Sequence, residues 1–263
     1  MNRFNEIRGF IETEAKACHV IEAHDKIDAV LERLLDVLHT YKPGVVVKAG
    51  LGSGKIVTAL VKANPSSYVV VVEPSLKAIQ EYCAGNDGDE DIQRVHFING
   101  DFQDFPVDYY KAGLLVCIDY LNIFDSSKSL DEFRRALQFE GILFLASVVL
   151  HNDDTDGIYD EFVHAVFPLH NDYYLEDDLK TFLDLKEFSL IKGVSMKFRK
   201  NLNGEIAHYA EIFRDLDADA ARRIVAANGE LFKRLYAMDD GANIDEPYYI
   251  GYFMRQKPVV SNP

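Results

Sequence analysis

Residues 45–75 read VVVKAGLGSGKIVTALVKANPSSYVVVVEPS, and this stretch decides the fold. Two valine runs, Val45–Val47 and Val69–Val72, flank a turn in which Gly50, Gly52 and Gly54 alternate with other residues. After the turn, Ile56, Val57, Leu60 and Val61 recur at helical spacing. Strand, glycine turn, helix and strand make a βαβ unit. Strands that are apolar throughout belong to a parallel sheet covered on both faces. Glycine tolerates positive φ and leaves the backbone bare, so such a turn can hold a phosphate or a nucleoside.

The alternation continues outward from this unit. DIQRVHFINGD (91–101), AGLLVCIDYL (112–121), GILFLASVVL (141–150) and SLIKGVSMKFR (189–199) read as strands. LKAIQEYCAGN (76–86), SLDEFRRALQ (129–138, behind a serine cap) and EDDLKTFLDLKEF (176–188) read as helices, the last with acids where the helix dipole favours them. Right-handed crossovers then give a doubly wound α/β sheet. Upstream, Ile27, Val30, Leu31, Leu34, Leu35 and Leu38 mark an amphipathic helix over 25–40, and residues 4–20 are expected to be helical too. The tail is less regular: GEIAHYAEIF (204–213) fits a strand or a helix, 217–238 is helical, and EPYYIGYFMRQK (246–257) has the bulk of a last strand.

Four readings of the glycine turn compete. A triphosphate-binding loop needs Gly-x4-Gly-Lys-[Ser/Thr], but Ala49 and Ile56 occupy two of its fixed positions. A dinucleotide fingerprint needs a small residue where Lys55 stands. A plain tight turn needs nothing further. The remaining pattern, Gly-x-Gly-x-Gly, is met by Gly50, Gly52 and Gly54 and gains weight from the ends of three strands. Glu73 and Pro74 end the second strand, Asp101 and Phe102 come after the third, and Asp119 and Tyr120 after the fourth. In that joint order, residues 44–200 resemble the class I S-adenosylmethionine-dependent methyltransferases.

The resemblance implies a Rossmann-like methyltransferase fold: a mostly parallel seven-stranded sheet with an antiparallel last strand, for which PYYIGYFMRQK is the candidate. It implies S-adenosylmethionine as cofactor and a small molecule as methyl acceptor. The cofactor-binding set would be Lys48, Gly50, Gly52, Gly54, Glu73, Pro74, Asp101, Phe102 and Asp119. Glu73 would accept the ribose hydroxyls, Asp101 the adenine amino group, and Phe102 would lie beside the ring. Asp119, Tyr120 and His151 are the catalytic candidates, His151 because imidazole titrates near neutrality. Aromatics after the fifth strand (Tyr159, Phe162, Phe167, Tyr173, Tyr174) are candidates to line the acceptor pocket. Residues 1–42 form an N-terminal helical segment, a lid or a homodimer surface, ahead of an α/β domain over 43–263.

Two departures stand out. Lys48 occupies the position where the family usually carries an acid, which reverses the local charge beside a cationic cofactor. Pairing with Glu73 or Asp119, binding of the methionine carboxylate, altered cofactor use and a snorkelling side chain all remain open. Altered use would mean transfer of the cofactor's aminoalkyl arm, or a nucleoside-binding protein without catalysis. No Asn-Pro-Pro-Tyr stands after the fourth strand, so amino methylation by that route is not indicated.

Composition narrows the partners. With 43 acids against 28 bases and a net charge of −15, the chain has no basic stripe for a nucleic acid backbone. It has no apolar run long enough for a membrane span and no signal-like apolar core at its start, and its three cysteines (Cys18, Cys83, Cys117) build no disulfide framework. A cytoplasmic protein is expected. No metal is expected either. HNDDTD (151–156) lacks a calcium loop's mid-loop glycine and closing glutamate, and the other histidines, His164 and His170 among them, show no ligand spacing.

Overall fold

In the computed structural model, residues 26–213 and 215–257 are described, together with Gly9. The helix expected at 4–20, most of the lid segment and Cys18 lie outside them. The helix expected at 25–40 is α1 (Ile27–Tyr41), closed by Lys42 in the left-handed region. β1 (Val45–Ala49), α2 (Lys55–Ala63), β2 (Tyr68–Glu73) and α3 (Leu76–Gly85) then form the expected unit and its sequel. A short 3-10 turn precedes β3 (Val95–Asn99), and β4 (Ala112–Ile118), α4 (Ser126–Ala136) and β5 (Leu137–Val148) come next.

The strand order is β3-β2-β1-β4-β5-β7-β6, seven strands in one sheet. β1 pairs in parallel with both β2 and β4, which is where the order reverses and where ligands bind in open α/β sheets. β7 (Asn243–Arg255) runs antiparallel between β5 and β6 (Phe188–Asn201), as the last strand was expected to do. The core fills both sides of the sheet, and α1 buries Ile27, Val30, Leu34, Val37 and Leu38 in the same cluster. Cys117 lies in that core, and burial pushes its thiol up to about 12. No helix among the described residues is long and apolar enough to cross a membrane.

Several local expectations are corrected. The α4 cap is Asp125, which accepts from the Lys128 N–H at 3.0 Å, so the helix starts before Ser129. The segment at 204–213 is helical, within α7 (Leu202–Ile212). Residues 217–238 split into α8 (Ala218–Ala227) and α9 (Gly229–Tyr236). α6 (Glu176–Leu185) was expected, but the helix before it, α5 (Ile158–Val166), was not. Its start is held by Asp154, whose carboxylate accepts from the Ile158 N–H (2.9 Å), the Tyr159 N–H (3.2 Å) and the Tyr236 hydroxyl. Asp154 is buried, a helix anchor rather than one acid of a solvated loop.

A second buried carboxylate ties distant elements together. Glu246 on β7 accepts from Lys26 just ahead of α1, from Tyr159 on α5 and from Lys200 on β6, the last at 3.2 Å. Lys200 also meets Glu205 of α7 at 3.0 Å. Burial alone would raise the Glu246 carboxyl, but the Lys200 and Lys26 ammoniums and the Lys26 and Tyr159 hydrogen bonds hold it down at about 2, against an ordinary 4.5.

A depressed folded-state value stabilises the protein above the unfolded-state value. That share, about 3 kcal/mol, is lost as pH falls from 4.5 towards 2. Glu246→Gln should flatten this part of the stability–pH curve. At neutral pH it should cost roughly 3–5 kcal/mol, because the buried Lys26 ammonium loses its counter-charge and Lys200 is left with Glu205 alone. Urea unfolding at a series of pH values checks both; a variant with the wild-type acid slope would show that Glu246 is not the group responsible.

Candidate active site

Three strands deliver their ends to one rim. Ala49 pairs with Val72 on one side and Cys117 on the other, so Gly50 and Glu73 come next, and Asp119 two residues beyond Cys117, at the same edge of the sheet. Asn99 pairs with Glu73, and Asp101 lies two residues beyond it. The glycine turn bends over this rim with φ of +80° at Gly50, +57° at Gly52 and +76° at Gly54. Two tyrosines pack where side chains would have to be. A Cβ at Gly50 would sit 2.1 Å from the Tyr120 ring, and one at Gly54 would sit 2.1 Å from the Tyr82 ring.

The turn is held by backbone and carboxylate together. Gly50 N–H donates to the Val72 carbonyl at 2.8 Å. The fully buried Glu73 accepts from the Leu51 N–H at one oxygen and from the Ser75 N–H at the other, both at 2.8 Å. Gly52 N–H points to the Tyr120 hydroxyl at 3.3 Å. A cleft of about 350 Å³ lies against the outer side of the turn, between Lys55 and Thr58 of α2 and Glu81 and Tyr82 of α3.

Lys48 does not snorkel. It is fully buried, and its ammonium donates to the Gly50 carbonyl at 2.6 Å with the Tyr120 ring centroid 6.0 Å away. The positive charge is thus directed at the glycine turn itself.

The other expected residues divide. Asp101 is half-buried and accepts from the Gln103 N–H at 2.8 Å, an Asx turn that leaves its second oxygen outside that bond. Pro74 is buried, and its carbonyl accepts from the Asn99 amide at 2.8 Å. Phe102 and Tyr120 are 1% exposed, with ring centroids 5.3 Å apart, and Phe102 also packs on Phe105 and Phe124. Phe102 is therefore a core ring, and Tyr120 is the floor of the glycine turn. His151 is partly exposed; its Nδ1 accepts from the Asp153 N–H at 3.2 Å, and its ring lies edge-on to Tyr236. It borders a different cleft, of about 420 Å³, with Glu176, Ser195 and Lys197.

Asp119 stands apart. It holds φ at +59°, a left-handed conformation that a non-glycine residue adopts at a cost and that recurs at functional sites. Its N–H is fixed by the Ala146 carbonyl at 2.9 Å, and its Oδ2 accepts from the Tyr248 hydroxyl at 3.2 Å. The Asp119 charge acts on two phenols, Tyr173 and Tyr209. Both are only half-buried, yet burial first, and then nearby carboxylates, push their hydroxyls upward. Burial works against the Lys200 ammonium, but Glu246, Tyr159 and Glu205 hold it well above the ordinary lysine value. Asp119, Tyr173, Lys200 and Tyr209 thus form one interacting cluster. Of the aromatics expected to line the acceptor pocket, Tyr173 belongs to this cluster, Tyr159 bonds to Glu246, Phe162 packs edge-on against Phe232, Phe167 stacks on Tyr209, and Tyr174 bonds to Ser126. Lys200, Tyr209 and Tyr248 were not foreseen, because they arrive from β6, α7 and β7, more than eighty residues beyond Asp119 in the chain.

Comparisons agree with this geometry. A family model described as a methyltransferase domain matches residues 42–187. No protein of curated function matches the chain in sequence. Among solved structures, the YcgJ protein of Bacillus subtilis is similar, with a TM-score of 0.72 and 12% identity over 88% of this chain and 99% of its own. Geranyl diphosphate C-methyltransferase from Streptomyces coelicolor A3(2), solved with Mg2+, geranyl diphosphate and S-adenosyl-L-homocysteine, gives 0.61 at 12% identity over 97% and 98%. The [4+2]-cyclase SpnF gives 0.55 at 19% identity over 86% and 80%. At such identities the structures speak for the fold, and the family model, spanning over half of the chain, speaks for descent: this chain belongs to the methyltransferase domain family and is by that descent an S-adenosylmethionine-dependent transferase.

Proposed function

We propose that the chain methylates a small polar molecule held beside Asp119. The observation that supports this is the common rim, where the glycine turn, Glu73 and Asp119 end neighbouring strands. The residues fit the cofactor. An ionised carboxylate offers about four lone-pair sites. The Leu51 and Ser75 N–H groups take one on each Glu73 oxygen, so the same carboxylate can brace the turn and accept ribose hydroxyls. Asp101 is the acceptor for an adenine amino group. Because Glu73 is fully buried, whatever covers it must open for a ribose to arrive.

When bound, S-adenosylmethionine supplies the electrophilic methyl group, so the protein's task is to orient the acceptor and remove its proton. Asp119 is the group for both, with its Oδ2 steadied by Tyr248. Tyr173 and Tyr209, held protonated, serve as hydroxyl donors that orient a polar acceptor.

A second reading comes from Lys48. An ammonium beneath the glycine turn adds positive charge near the sulfonium end, and the same fold carries a [4+2]-cyclase. The rival is therefore a protein that binds the nucleoside without transferring its methyl group, or that transfers the aminoalkyl arm instead.

S-adenosylhomocysteine should raise the thermal unfolding midpoint, whereas NAD and ATP should not. Glu73→Gln should weaken S-adenosylhomocysteine binding roughly 10- to 100-fold in calorimetry, the loss of a charge-assisted hydrogen bond. An unchanged affinity would mean the ribose lies elsewhere. Asp119→Asn should keep the fold, since Asn tolerates the left-handed conformation, while lowering turnover about 100-fold as a lost general base does. Methyl transfer to an acceptor panel at wild-type rates would remove Asp119 from the chemistry.

A further inference from the structure

Outside the rim, α5 and the loop after it bring together an aspartate and two histidines. Asp160 and His164 stand four residues apart on α5 and share one face. His170 comes from the loop after α5, pinned by its own N–H on the Phe167 carbonyl (2.9 Å) and by the Asn171 N–H on the Asn122 carbonyl (2.7 Å). Asp160 Oδ1 lies 2.7 Å from His170 Nε2, and Oδ2 lies 3.5 Å from His164 Nε2. One ligand atom from each residue falls within 4.8 Å of the others.

We propose that Asp160, His164 and His170 form a binding site for one divalent first-row transition ion, with zinc as the probe. Metal–ligand bonds of about 2.0–2.2 Å bring ligand atoms roughly 3–3.5 Å apart; the two Asp160–histidine spacings are already near this, and the remaining pair has to close from within 4.8 Å. Imidazole nitrogen with one carboxylate suits zinc, iron, nickel or copper, and is a poor set for magnesium or calcium. The burial is graded as an open site requires: His170 is 1% exposed and rigid, Asp160 is 19% exposed, and His164, at 43%, lies on the solvent side and gives the ion its way in. Three protein ligands leave a further position for water.

An outer contact completes the site. The Tyr173 N–H donates to Asp160 Oδ1 at 2.7 Å, which orients the carboxylate as backbone partners orient metal ligands. The same bond carries a consequence. Tyr173 belongs to the cluster around Asp119, and its ring lies 4.3 Å from that of His170. An ion on Asp160 would stiffen that side of the cluster. The metal site stands without the acceptor reading; only this consequence rests on it. The sequence hides the set because its spacing, Asp-x3-His-x5-His, matches no familiar motif and needs the turn after α5 to close it.

The test uses the untagged full chain, stripped with chelator and dialysed against Zn2+ or Co2+. The wild type should retain about one equivalent per chain, show visible Co2+ absorption bands, and gain thermal stability with Zn2+. His164→Ala and Asp160→Asn should each lose retention and bands. His164 is accessible, so its variant keeps the fold, and unshifted melting without metal verifies that. His96→Ala, at an exposed histidine on β3, should behave as the wild type. The proposal is overturned if the wild type retains no more metal than His164→Ala. Retention without S-adenosylhomocysteine binding would leave the site standing and sink the methyltransferase reading; the reverse result would do the opposite.

Discussion

The Gly50–Gly54 turn exists because two tyrosine rings fill the space that side chains would need. Tyr120 lies against Gly50 and Tyr82 against Gly54, so neither glycine can gain a Cβ without moving an aromatic ring of the rim or the α3 helix. Both glycines also hold positive φ, where a Cβ is strained whatever the space. The rings in turn depend on their surroundings. Tyr120 is clamped by Phe102 and by the Gly52 N–H, and Tyr82 by Phe97 and the Thr58 hydroxyl. The bare backbone of the rim is thus a property of the core beneath it, shaped by the aromatic residues after β3 and β4.

The same constraint explains how a lysine can stand beneath the turn. The Gly50 carbonyl, turned inward by its positive φ, needs a buried donor, and Lys48 is the nearest residue on β1 that can reach it. An aspartate in that place could not donate to a carbonyl. Lys48 therefore replaces the family's usual negative charge with a direct brace on the turn. The negative potential of the rim is left to Glu73, Asp101 and Asp119, which also end strands.

Most of the sheet was legible in the sequence because its strands are fully covered, and fully covered strands are written as unbroken apolar runs. β1, β2, β4 and β5 show this directly. β7 was legible by its aromatics, whereas α5 was not: its polar face carries Asp160, Glu161 and His164, and the acid-rich loop before it masked the start. What announces that helix is Asp154, and a buried acid looks like a surface acid until the fold encloses it. Phe102 misled for the complementary reason. An aromatic after a strand fits a ring-stacking role or a core role equally well in one dimension, and only packing against Phe105, Phe124 and Tyr120 decides it. The cluster around Asp119 was illegible as a set, since its members lie on separate elements far apart in the chain.

That cluster also gives a reason for so costly a group as Glu246 to sit beside it. A fully buried ion pair seldom adds net stability over an apolar pair of the same volume, so its stability contribution is measured against a broken pair and not against a rebuilt core. What an apolar pair could not do is fix direction. Glu246 receives donors from the chain ahead of α1, from α5 and from β6, each with its own approach, and Lys200 passes the constraint on to Glu205 of α7. Tyr159, one of those donors, stacks on Tyr173, with ring centroids 5.9 Å apart. The carboxylate on β7, the antiparallel strand that completes the sheet, thus sets the position of a ring in the cluster around Asp119.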